Sequence, residues 1–177
     1  PIPEVEPDFS LIKKALDLLS QAKNPVMIMG GGVVLSGAVE ECIEFAEYLQ
    51  LPVITTYMSK GAIPDNHPLS VGCMGIQVGS PLGNKIFLES DVVCGIGCRF
   101  TDRHTGDINV YAGDRRFIHV DIEPGQINKI LKAEVGIVSD ARLALIALLT
   151  EAKSRGKREP SPRVKALPEL RKALKRK

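Results

Sequence analysis

Three consecutive glycines, Gly30-Gly31-Gly32, sit between a compact apolar run, Pro25 to Met29, and a helical pattern. At such a strand-to-helix turn glycine lets backbone amides approach a phosphate or a flavin with no β-carbon in the way. The dinucleotide fingerprint is incomplete, because Leu35 stands where its third glycine belongs. The next apolar run ends on Thr55-Thr56, where a dehydrogenase would present an acid to the adenine ribose. An NAD-dependent hydride-transfer site is therefore disfavoured. A tight turn that holds no ligand is the competing reading of the glycines.

A second segment with chemical potential is Gly97-Cys98-Arg99-Phe100-Thr101-Asp102-Arg103-His104-Thr105-Gly106, which sets two arginines and an acid behind another apolar run. The planar guanidinium suits bidentate contact with phosphate, although Arg99 and Arg103 taken alone also fit surface ion pairs. Asp121-Ile122-Glu123-Pro124 offers a carboxylate to a ribose or adenine hydrogen bond. Asp140, behind Ser139, has the same opportunity and is equally suited to cap the helix that follows. Cys42, Cys73, Cys94 and Cys98 lack the paired spacing of a zinc site and read as buried free thiols. No histidine has a convincing catalytic setting: His67 lies in a Pro-rich loop, His104 follows the arginine turn, and His119 sits inside a strand as a core residue.

The elements that must position these residues are short apolar runs alternating with helical patterns. Asp8 is placed to cap a helix to about Ala22, with Ile12, Leu16 and Leu19 on one face. Strand Pro25–Met29 follows, then a helix capped by Ser36 that turns Val39, Cys42, Ile43, Ala46 and Leu49 inward and Glu40, Glu41, Glu44 and Glu47 to water. Strand 52–56 completes a βαβ unit. Residues 57–81 carry little regular pattern, and a loop of that length in a compact domain is more often functional than ornamental. Helix 82–90, strands 91–95 and 116–121, a short helix after Pro124, strand 135–138 and a helix from Asp140 to about Glu151 complete the order. Apolar runs such as Val92-Val93-Cys94-Gly95-Ile96 suit strands covered on both faces. The expected fold is α/β, a doubly wound, mostly parallel sheet of five or six strands with helices on both faces, Rossmann-like. In such a sheet ligands gather beyond the carboxyl ends of the strands, where all the segments above lie.

With 177 residues, 44% apolar and 25% charged, the chain suits one domain, assigned to residues 1–152. Residues 153–177 form a basic, Pro-containing tail, holding eleven Lys or Arg against Glu159 and Glu169, while the body carries twelve bases and nineteen acids. No aromatic interleaves those charges, so the tail reads as a solvated linker and no nucleic-acid partner is expected. No apolar run approaches the roughly 20 residues of a membrane helix, so neither membrane contact nor a location outside the cytoplasm is expected. The start at Pro1 and the basic end suggest a piece of something longer.

The motifs together resemble a family. Gly30-Gly31-Gly32-Val33, Ile63-Pro64-Asp65-Asn66-His67-Pro68, Arg99 to Gly106, and His119-Val120-Asp121-Ile122-Glu123-Pro124-Gly125-Gln126-Ile127 are similar in order and spacing to the central domain of thiamine-diphosphate-dependent carboligases, over about residues 8–152. Arg103-His104-Thr105-Gly106, Gly95-Ile96-Gly97 and Gly136 to Ala141 look most like glyoxylate carboligase, whereas Asp102 resembles acetolactate synthase. Both kinds carry an FAD in this domain that takes no redox part in the main reaction. The resemblance implies flavin contacts at Gly30, Gly31, Gly32, Thr55, Tyr57, Met58, Met74, Gly75, Ile76, Gln77, Gly97, Arg99, Asp102 and Arg103, with Asp121, Ile122, Ser139 and Asp140 at the adenosine end.

It further implies a parent enzyme that joins two glyoxylates into tartronate semialdehyde with loss of carbon dioxide, using thiamine diphosphate and Mg2+. Those cofactors are anchored elsewhere, since Gly106-Asp107-Ile108 and Gly113-Asp114-Arg115 fail the family's Gly-Asp-Gly at the third residue and no Asn-Asn occurs. This chain alone is expected to be inactive, with flanking domains as partners and a homo-oligomeric parent. Arg103 is the candidate for substrate contact, with an Asp102 ion pair or a flavin phosphate as its other partners. A flavin-free structural domain and an independent NAD-using enzyme are the remaining alternatives.

Overall fold

A computed structural model describes residues 4–75 and 79–174. Asp8 accepts the Ser10 amide at 2.7 Å and opens α1 (Phe9–Gln21), which buries Ile12, Ala15, Leu16 and Leu19. Then come β1 (Pro25–Met29), α2 (Gly31–Leu35), α3 (Val39–Leu49), β2 (Val53–Thr55) and β3 (Ser70–Cys73). Ser80 and Pro81 start α4 (Pro81–Leu88), followed by β4 (Val92–Ile96), α5 (Asp102–Thr105), α6 (Ile108–Ala112) and β5 (Arg116–Asp121). The order closes with β6 (Val135–Val138), α7 (Ala141–Arg155), α8 (Pro162–Lys165) and α9 (Leu167–Ala173).

The six strands are all parallel in the order β3-β2-β1-β4-β5-β6, with helices around them, so the fold is α/β and doubly wound. Strand order reverses between β1 and β4, which opens a crevice at their carboxyl ends. One helical layer is α7 packed on α1 and α3. On the face of β5 that carries Phe117 and His119, an aromatic cluster of Phe87, Phe100 and Tyr111 joins α4, α6 and the turn after β4. No helix among the described residues is long and apolar enough to cross a membrane.

Several local expectations change. Ser36 does not start α3; it is the C-cap of α2, a short helix built directly on the glycines, and Ala38 precedes α3 with no side-chain cap. Glu40 and Glu41 in the first turn of α3 supply the negative charge that the missing cap would have provided. The long segment after β2 contains a 3-10 turn, Tyr57–Ser59, and an edge strand, β3. Its sequence Ser-Val-Gly-Cys hides a strand because Gly72 has φ of 91° and a bulge shifts the register, pairing Ser70 with Val53 but Gly72 with Ile54.

The basic tail is not a solvated linker. Arg158 donates to the Leu19 and Ala22 carbonyls (3.0 and 2.7 Å), and Arg163 to those of Ile86 and Pro25 (3.0 and 2.8 Å). Arg171 reaches Ser70 at 2.8 Å and the His67 and Pro68 carbonyls at 3.1 Å. Leu19, Ala22 and Ile86 lie at helix ends, His67 and Pro68 in a turn, and Pro25 and Ser70 at strand starts, where a planar cation serves two or more carbonyl oxygens at once. Leu167 is 0% exposed behind them. In urea titrations we expect Leu167→Ala to cost roughly 2–4 kcal/mol and Arg163→Ala about 2 kcal/mol. Lys172→Ala, which loses only an exposed ion pair with Glu169, should stay within about 0.5 kcal/mol. Equal, negligible effects at all three positions would mean the tail is undocked in solution.

Candidate functional site

The crevice between β1 and β4 is closed at its base by backbone. The Gly30 amide donates to the Ile96 carbonyl at 2.9 Å and the Gly32 amide to the Gly97 carbonyl at 3.0 Å. A β-carbon on Gly30 would stand 2.1 Å from the Gly97 oxygen, and one on Gly32 would stand 2.7 Å from the Gly97 Cα. Glycine is thus required here for contact between two turns, and two of the three amides expected at a ligand are already bonded inside the protein. Gly31 faces the turn after β2, where its β-carbon would meet that of Met58 at 2.9 Å.

Beyond β2, Thr55 and Thr56 are buried, and Thr56 forms a capping box with Ser59, whose hydroxyl also donates to the Met29 carbonyl. This fixes a tight turn that holds Tyr57 and Met58 outward, 69% and 72% exposed. Leu35 at 79% and Val34 at 43% stand beside them on α2, making an exposed apolar surface. Beyond β3, Met74 and Gly75 are half-buried, and the Met74 amide donates to the Thr55 carbonyl at 3.1 Å. Ile76 and Gln77 lie outside the described residues.

Beyond β4, Arg99 and Thr101 share a shallow cavity of about 140 Å³ with Gln126, Lys129 and Ile130. Two cationic side chains therefore line one concavity on the carboxyl edge. Gln126, Lys129 and Ile130 were not singled out as contacts from sequence, since nothing in it says which side of the Pro124 turn meets the turn after β4. Arg103 is exposed on α5, and the Asp102 carboxylate accepts its backbone amide at 2.8 Å rather than its guanidinium.

Beyond β5, Asp121 is buried, accepts the Glu123 amide at 2.9 Å and has its other oxygen 4.0 Å from His119 Nε2. Ile122 is half-buried. Beyond β6, Ser139 is fully buried and donates to the Val5 carbonyl at 2.8 Å. Asp140 caps α7, accepting the Arg142 and Leu143 amides at 2.9 and 3.2 Å, which is the structural role its position allowed. The structure thus gathers the residues after β1, β2, β4 and β5 around one crevice, and engages Ser139 and Asp140 in internal bonds at the far strand.

The buried thiols and imidazoles are held in their uncharged forms. Burial pushes the Cys94 and Cys98 thiols up to about 12 and raises Cys42 further, so all three stay protonated and inert. Burial also drives His104 down to about 4 and lowers His119, so both rings are neutral at pH 7. His104 Nε2 is 2.9 Å from the Tyr111 hydroxyl, inside the aromatic cluster. Among the described residues no group of His, Cys, Asp or Glu is arranged to hold a metal ion.

The family model described as "Thiamine pyrophosphate enzyme, central domain" matches residues 12–148. The chain belongs to that family. A probable acetolactate synthase large subunit from Methanococcus aeolicus is 49% identical over 134 residues, covering 76% of this chain and 22% of that protein. Glyoxylate carboligase from Escherichia coli O157:H7 is 45% identical over 154 residues, 86% of this chain and 26% of that protein. The acetolactate synthase large subunit of Corynebacterium glutamicum is 42% identical over 152 residues, 86% of this chain and 24% of that protein. This central domain therefore spans about a quarter of the length of the relatives it matches.

The buried imidazoles generate a pH dependence. A histidine whose folded pKa lies below its unfolded value of about 6.5 leaves stability intact above pH 6.5 and erodes it as pH falls towards the folded value. For His104, with a folded value of about 4, the loss approaches 3 kcal/mol by pH 4. Urea midpoints measured from pH 7.5 to 4.5 should fall steadily below pH 6.5, and His104→Gln should flatten the slope. An identical slope in that variant would clear His104 of the effect.

Proposed function

We propose that this central domain binds FAD along the carboxyl edge of its sheet, as a structural group with no redox step, within a cytoplasmic glyoxylate carboligase. The carrying observation is that two unlike surfaces meet on one edge. Arg99 and Lys129 line a concavity suited to phosphate, and Val34, Leu35, Tyr57 and Met58 stand exposed across the switch point, suited to a flat apolar ring. Thr55-Thr56 in place of an acid after β2 argues against the ribose-binding mode of an NAD-dependent dehydrogenase. Asp121, with one oxygen free of backbone bonds, is the acceptor for a ribose hydroxyl. Ser139 and Asp140, bonded internally, support the reading least.

When bound, thiamine diphosphate with Mg2+ supplies the carbanion chemistry that joins two glyoxylates and releases carbon dioxide, and we assign its anchoring to flanking domains of a homo-oligomeric parent. The part of this chain is to hold those domains apart at a fixed spacing and to exclude water from the flavin. Arg103, exposed on α5 with its carboxylate neighbour turned to the backbone, is the cation offered to a 2-oxo acid. Pyruvate in place of glyoxylate, as in an acetolactate synthase, is the second reading, favoured by the 49% identity to the Methanococcus aeolicus protein.

Purified protein should take up FAD saturably, and Arg99→Ala should weaken binding by about tenfold or more, the equivalent of one charge-assisted contact. Arg155→Ala, at the far end of α7 where it pairs with Asp17 of α1, should bind as the parent does. An absence of saturable binding in the parent would remove the flavin and leave the fold untouched. For the substrate, the intact enzyme should form tartronate semialdehyde from glyoxylate; formation of acetolactate from pyruvate instead would select the second reading.

A further inference from the structure

The turn that carries Arg99 is held by an imidazole to which no ligand role falls. His119 on β5 is 2% exposed, with Nε2 2.9 Å from the Cys98 carbonyl oxygen. A carbonyl only accepts, so Nε2 carries the proton and Nδ1 is the bare nitrogen, without a partner among the described residues. The bond crosses from β5 to the turn after β4 and lands one residue before Arg99.

That turn adopts an expensive shape. Phe100 holds φ of 50°, a left-handed value that a bulky residue keeps only where its surroundings over-determine it. Its ring lies against Gly95, where a β-carbon would stand 2.5 Å from Cζ, and meets the His119 ring edge-on at 4.8 Å between centroids. The Gly97 amide, donating to the Val120 carbonyl at 2.8 Å, fixes the entry to the turn. Asp121 Oδ2 lies 4.0 Å from the same Nε2, too far for a hydrogen bond. The acid proposed for the ribose and the carbonyl before the arginine proposed for phosphate therefore approach one ring nitrogen.

We propose that His119 is a positioning residue for nucleotide binding: its Nε2–H, donated to the Cys98 carbonyl, locks the turn that aims Arg99. The ligand in this inference rests on the FAD reading above, whereas the lock rests on the hydrogen bond and the strained turn.

Two measurements on the intact protein test it, with His119→Gln, which keeps an N–H donor at similar reach, and His119→Leu, which keeps bulk without a donor. Without ligand, amide hydrogen exchange across residues 97–101 should rise in His119→Leu and return towards the parent in His119→Gln, while β1 is unchanged. Unchanged exchange at the turn in His119→Leu overturns the lock, whether or not any ligand binds. With FAD as probe, at a temperature where circular dichroism shows every variant folded, His119→Leu should bind about tenfold more weakly and His119→Gln within about threefold of the parent. The double variant with Arg99→Ala should be no weaker than Arg99→Ala alone, because one residue acts through the other. Additive losses, or an FAD affinity untouched by His119→Leu, overturn the positioning role. Should His119→Leu fail to fold, His119→Asn, polar but too short to reach Cys98, replaces it with the same expected results. A parent that ignores FAD but still shows the exchange difference removes the flavin reading and keeps the lock.

Discussion

A side chain at Gly30 would put its β-carbon 2.1 Å from the Gly97 oxygen, so the turns after β1 and β4 meet only as backbone on backbone. Much of the carboxyl edge depends on that contact. It sets α2 directly over the crevice, and with it the exposed Val34 and Leu35. It also holds Gly97 at φ of 59°, which sends the chain into the Arg99 turn. Because the amides of Gly30 and Gly32 serve this contact, the glycine run reads first as a joint between two halves of the sheet and only second as a cradle for a ligand.

The sheet was legible from sequence because most of its strands are short, largely apolar runs, and Pro25–Met29, Arg116–Asp121 and Val135–Val138 match the observed bounds. Strand β3 was not, since the positive φ of Gly72 and the bulge make its sequence look like loop. Ser36 misled because a cap and a C-terminal residue share the same polar side chain, and only the short α2 decides between them. The site was legible as a set of strand ends. Which amides were free was not, because internal partners such as Ile96 and Gly97 come from a strand far away in sequence.

Positive charge is divided between the two ends of the sheet. At the amino end Arg158, Arg163 and Arg171 are spent on carbonyls, tying the tail to α1, α4 and the approach to β3. At the carboxyl end Arg99 and Arg103 are exposed, and Lys129 opens on a cavity. The near-neutral net charge of +2 thus hides guanidiniums with opposite duties, some satisfied by folding and others presented outward.

The edge strand has a bearing on the behaviour of the molecule in a crowded solution. The Leu69 carbonyl turns inward and accepts the Val53 amide at 2.8 Å, so the alternation of the chain points the Ser70 carbonyl outward, where Arg171 takes it at 2.8 Å. Ser80 takes the next acceptors, its hydroxyl bonding the Val71 carbonyl at 2.6 Å and its amide that of Cys73 at 2.7 Å. A sheet that ended on open acceptors would be a template for any stray strand. Along β3 these acceptors are taken by one arginine and one serine, so the tail that braces the domain also helps to cover this margin of the sheet.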